Sequence, residues 1–192
     1  MKKIILLVLL IFPKWISSQE ISLPFYEIGD YPSEYSSENI LSRMIEGLGY
    51  RYYWASESLN ENDLKYKPSE DSRTTFDILE HIYSLSQMIV SSFKNQEFNF
   101  ALKKYSYEEL RSKTLNNFKY IYDSLIKNPD LSQLNITFRR EGNNLHFPFW
   151  NHINGPIADA IWHCGQVVTN RRASGNPIRE GVNVFTGKNR FK

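Results

Sequence analysis

Four segments of the chain repeat apolar side chains at the 3.6-residue spacing of one helical face, and polar stretches rich in proline, glycine and asparagine separate them. In the first, Leu41, Met44, Ile45, Leu48, Tyr52, Ala55 and Leu59 form a continuous stripe, which predicts a helix beginning near Glu38. The second places His81 on one face with Ile78, Leu85 and Met88 and predicts a helix to about Lys94. It opens at Thr74 or Thr75, whose hydroxyl can accept a first-turn N–H, with Asp77 suited to the positive end of the helix dipole. The third starts at Ser106 with Glu109 three residues on, a capping box, buries Leu110, Thr114, Phe118, Ile121 and Leu125, and stops at Pro129. The fourth covers residues 154–175. Pro156 suits its first helical position and Gly175 the left-handed residue past its last turn. Ile157, Ile161, Cys164 and Val168 form its apolar stripe, and Asp159, His163, Gln166 and Asn170 recur beside that stripe on a single face.

The stretches between these segments lack helical period. Residues 19–37 read as an irregular arm lying across the helices, and residues 60–72 as a polar loop. Residues 135–150, NITFRREGNNLHFPFW, alternate around Gly142-Asn143-Asn144 and predict a short hairpin or extended crossover before the last helix. The tail after Asn176 reads as an irregular strap. The fold class is therefore all-α, an up-and-down four-helix bundle with an irregular N-terminal arm. A length of 192 residues is enough for one domain with its own core.

Composition changes this picture at the N-terminus. Residues 1–18, MKKIILLVLLIFPKWISS, pair Lys2 and Lys3 with a short apolar run and small residues at Ser17 and Ser18. That is a secretory signal pattern, too short in its apolar part to span a membrane, with cleavage expected near Ser18. The arm (19–37) and a bundle domain (38–192) follow. Removing the signal leaves 20 basic against 21 acidic residues, so a nucleic-acid partner is excluded for want of a basic footprint. No stable membrane insertion is expected after cleavage. The pairs Arg139-Arg140 and Arg171-Arg172 read as solvated surface. Cys164, the single cysteine, has no disulfide partner and reads as a small buried apolar residue. The sequon Asn135-Ile136-Thr137 is a short motif that chance supplies often.

The chemistry gathers on the last helix. Asp159 and His163, four residues apart, point the same way, and His81 points inward from the second helix; by itself His81 would read as a core histidine. Taken together, DAIWHCGQV at residues 159–167, FDILEHI at residues 76–82 and the loop at residues 59–68 resemble the DinB/YfiT-like family of four-helix-bundle metalloproteins. The resemblance implies one divalent metal ion held by His81, Asp159 and His163. Asp159 stands where many relatives carry histidine, and Gly165-Gln166 follows His163 as it does in the family. Such a set of two imidazoles and one carboxylate suits Zn, Ni, Mn or Fe(II) and leaves coordination positions open. His146 and His152, shortly before the last helix, are candidate catalytic residues as proton donors, or replacement ligands. Glu80 reads as surface, and Trp150, Trp162, Phe147 and Phe149 as core rather than a substrate platform.

Three classes of function follow: an exported metal-dependent hydrolase or thiol-transferase-like enzyme, a metal-binding module without catalysis, or a bundle binding a small ligand and no metal. A small-molecule substrate or ligand is expected, of a kind that no residue names. Homodimerisation is common in the family that the chain resembles.

Overall fold

In the computed structural model the described residues are 22–99, 103–140 and 142–191, so the expected signal segment and its cleavage site lie outside them. Helix α1 (Ser37–Ala55) begins at Ser36, whose hydroxyl accepts the Asn39 N–H at 3.2 Å. It ends four residues short of Leu59, which is buried beyond the helix. A short helix, α2 (Glu61–Lys65), occupies the expected loop; Asn60 and Asp63 cap it reciprocally, a pattern legible in the sequence and passed over there. Helix α3 (Thr75–Phe93) is capped by Thr74, one of the two expected residues, and Asp77 closes a reciprocal box there beyond its expected dipole role; α4 (Tyr107–Leu125) carries the expected Ser106/Glu109 box. Each such cap contributes about 1 kcal/mol.

The last helical segment departs from expectation. Its path begins at α5 (Trp150–His152), widens into a π turn over Ile153–Ile157 and continues as α6 (Ala158–Ala173). Pro156 therefore lies inside a helical path rather than at its first position. Having no N–H and a ring that crowds the carbonyl four residues back, proline forces the wider turn, and Gly155 absorbs the distortion at φ −89°, ψ −110°. The far end matches expectation: Gly175 sits at φ +93°, with its N–H on Arg172 O and the Asn176 N–H on Arg171 O.

Helices α1 and α3 each pack against both α4 and α6, closing a ring of four long helices. Ile45, Leu48, Leu79, Ile82, Leu115, Phe118 and Val167 are fully enclosed between them. Each large apolar side chain buried this way contributes roughly 1.5–3 kcal/mol. Cys164 lies in the same core, where burial pushes its thiol up to about 12 and leaves it inert.

The molecule is mostly helical rather than all-α. Beyond the end of α3, β1 (Glu97–Phe98) pairs parallel to β2 (Asn135–Phe138), which pairs antiparallel to β3 (Leu145–Pro148) with Thr137 opposite His146. The hairpin was legible, but its third strand is too short to show any alternation. The tail also differs from an irregular strap, because β4 (Val182–Asn183) and β5 (Lys188–Asn189) form a small hairpin. Arm and tail hold each other against α1: the Ile28 N–H donates to Gly187 O at 2.9 Å and Tyr50 Oη donates to Asn189 Oδ1 at 2.8 Å, beside buried Trp54. Gly49 makes room for the arm, since a Cβ there would stand 2.5 Å from the Phe25 ring.

A second polar cluster fixes the end of α6. Arg171 is 2% exposed, contrary to the surface reading, whereas Arg172 is exposed. Its guanidinium donates to the Trp54 and Ala55 carbonyls at 2.8 and 3.1 Å and to Asn176 O at 2.7 Å, so it caps the last turn of α1. Buried Asp63 accepts from Asn176 Nδ2, Ser174 Oγ and Asn60 N. Desolvation raises its carboxyl, yet the hydrogen bonds from Asn176, Ser174 and Asn60, with Arg171 nearby, outweigh it and hold the group below its ordinary range.

Candidate metal centre

His81 lies six residues into α3, on the side that faces α6, and Asp159 and His163 lie one turn apart near the start of α6. His81 Nε2 stands 3.1 Å from Asp159 Oδ2, and His163 Nε2 stands 3.3 Å from Asp159 Oδ1. The two imidazole rings meet edge to face at 4.6 Å between centroids. One ligand atom from each of the three residues falls within 4.8 Å of the others, so the group could hold a metal ion. Ligands about 2.1 Å from a shared ion stand about 3.0–3.4 Å apart in octahedral or tetrahedral geometry, and both Asp159 separations lie in that interval.

The orientation of His163 sharpens the point. Its Nδ1 stands 2.6 Å from Gln166 Oε1, a carbonyl oxygen that can only accept, so Nδ1 carries the proton. A neutral His163 then aims the bare lone pair of Nε2 at a carboxylate oxygen, acceptor against acceptor. A cation or an extra proton between them removes the conflict, and Gln166 supplies the outer hydrogen bond that orients metal-binding histidines. His81 is prepared in a complementary way. Desolvation lowers its pKa, the Asp159 hydrogen bond opposes that, and the charges of His163 and Arg73 lower it further; the net is below the ordinary value. Neutral imidazole, the form that binds metal, therefore dominates at neutral pH.

The triad is half-buried and lies beside a cleft of about 620 Å³, lined on one side by Pro68, Ser72, Arg73 and Ile78 and on the other by Trp162, His163, Gln166 and Asn170. Trp162 is 72% exposed at this cleft and Trp150 is also exposed, which corrects the expectation that both are core; Phe149 is buried and Phe147 partly so. Glu80 is half-buried, and burial, then the Asp77 charge, raises its carboxyl.

His146 and His152 do not join the triad. His152 is fully buried, stacked on Phe149 at 4.7 Å, with Nε2 2.7 Å from Ser92 Oγ. Ser92 is eleven residues beyond His81 on α3, about 16 Å along the axis, so this ring is remote from the cleft. Burial pushes its pKa down to about 4, against the opposing pull of the Pro148 and Phe149 backbone. His146 is exposed on β3 against Thr137 Oγ1 at 3.0 Å. Sequence proximity to the last helix misplaced both, because the π turn and the strand carry them toward the opposite end of α3. What the sequence reading passed over is Arg73, which lies directly before a cap residue and carries no periodic signal of its own.

Compared with known protein families, curated proteins and solved structures, the chain matches none.

Proposed function

We propose that this protein is an exported, DinB-like four-helix-bundle metalloprotein that holds one divalent ion through His81, Asp159 and His163 and acts as a metal-dependent hydrolase on a small molecule. The observation that carries the reading is the convergence of those three ligand atoms, with Gln166 fixing the tautomer of His163. The closed ring of long helices, with ligands on the second and the last of them, supports the family resemblance. A bound divalent ion would supply Lewis-acid polarisation of a substrate oxygen or sulfur. Asp159 neutralises part of its charge, the imidazoles add donors without further charge, and Gln166 keeps the His163 proton on the outer nitrogen. The cleft beside the triad gives substrate a way in, which favours an open, reactive centre over a closed structural one.

Elemental analysis of untagged protein tests the assignment. The wild-type chain is expected to carry close to one equivalent of a divalent metal, whereas Asp159→Ala and His163→Ala carry none and keep their helical circular dichroism. Unchanged stoichiometric binding in both variants sinks the site. A panel of ester, amide and thiol-transfer substrates on metal-loaded protein then separates hydrolysis from the thiol transfer that the resemblance also implies, and from binding without catalysis. Export is tested by N-terminal sequencing of protein recovered outside the cytoplasm, expected to start near Gln19.

A further inference from the structure

The cleft has a second chemical pole. Arg73 lines the same cleft as His163 and Gln166, and its charge is felt at His81. Among the described residues no acid forms an ion pair with it, and no hydrogen bond ties it down. Glu70 and Asp71, the acids nearest in sequence, form no ion pair with it, and Asp77 is turned instead to Thr74, accepting from its N–H at 2.9 Å and its hydroxyl at 2.7 Å. A divalent ion held by one carboxylate and two neutral imidazoles keeps a net positive charge, so with Arg73 the cleft presents two cationic points. Trp162 lines the same cleft, with a broad apolar face open to solvent. Gly165 contributes no side chain, and a Cβ there would meet nothing within 4 Å, which leaves that stretch of wall free for close approach.

We propose that the cleft selects small anionic substrates: an oxyanion group, carboxylate or phosphate, pairs with the Arg73 guanidinium, an apolar body lies on Trp162, and the polar group to be cleaved meets the metal centre. This rests on the metal reading above. Arg73 is a specificity residue in this scheme and touches none of the metal ligands. Its planar fork matches an oxyanion in a way that a lysine ammonium does not.

Calorimetric titration of zinc-loaded protein with N-acetylphenylalanine, its neutral amide and phenyl phosphate tests the proposal, with zinc content measured on the same samples. The wild type is expected to bind at least one of the two anions about tenfold more tightly than the amide; the preferred anion tells carboxylate from phosphate. Arg73→Gln should bring anion and amide to the same affinity with zinc content unchanged, Arg73→Lys should recover part of the preference, and Trp162→Ala should weaken all three probes alike. Equal affinity for anion and amide in the wild type, no binding of either anion, or a preference that survives in Arg73→Gln overturns the proposal and leaves the metal centre standing. Failure of the wild type to take up zinc or any other divalent ion overturns the metal reading and this proposal together.

Discussion

Helix α6 carries a polar cluster near each end, and the two are built on opposite terms. At its C-terminal end, Arg171 and Asp63 are both buried, and their donors and acceptors meet carbonyls, amides and hydroxyls of the chain itself. Near its start, His81, Asp159 and His163 are partly exposed; His81 Nε2 can donate to one Asp159 oxygen, but the bare Nε2 of a neutral His163 faces the other, acceptor against acceptor. A network that satisfies itself holds helices in place, whereas the other, on the function proposed above, is completed by a cation. The contrast teaches that burial of charge is not what marks a site in this molecule; an incomplete set of partners is.

Breaking the complete network should have the largest effect. Arg171→Met leaves the Trp54, Ala55 and Asn176 carbonyls without their donor and should lower stability by roughly 3–4 kcal/mol, read as a shift in urea midpoint. Asp159→Ala, at a side chain 37% exposed, should change the metal-free protein by less than about 1 kcal/mol. A similar cost at both positions would erase the distinction between the clusters.

Next in size is a pH effect at the far end of α3. The folded-state pKa of His152 lies at about 4, below its ordinary 6.5, so the unfolded chain takes up the proton first. Its contribution is whole above about pH 6.5 and is lost as pH falls toward 4, by up to roughly 3 kcal/mol. His152→Phe, which keeps the stacking on Phe149, should show a shallower loss over that window in paired urea titrations.

Completing the open cluster should stabilise the fold. Zinc at a hundred times its dissociation constant should add about 2.7 kcal/mol to the wild type and nothing to Asp159→Ala or His163→Ala, as followed by thermal unfolding. The smallest effect should come from Gln166→Ala, which frees the His163 ring and should weaken metal binding about 10- to 100-fold without abolishing it, measured by competition with a chelating dye. Unaltered affinity in that variant would show that the tautomer is set elsewhere.

Local chemistry made much of this legible before any coordinates. The Thr74 cap, the Ser106 capping box, the left-handed Gly175 and the shared face of Asp159, His163 and Gln166 all follow from interactions within a few residues along the chain. The Asn60/Asp63 box was equally readable, and α2 was missed only because so short a helix shows no period. His81 was assigned by resemblance more than by its own spacing, which it shares with any core histidine.

The sequence by itself determined where α1, α3 and α4 begin, where α6 ends and which side chains share a face, because those depend on hydrogen bonds and periodicity over one to four residues. Only the tertiary structure decided that Arg171 is interior and Arg172 is not, that Trp162 faces a cleft, that His152 packs away from the triad, and that Arg73 lines the same cleft as His163. Each of those outcomes depends on which helices close the ring and on how far the Pro156 turn rotates α6, distances in space that no local spacing encodes.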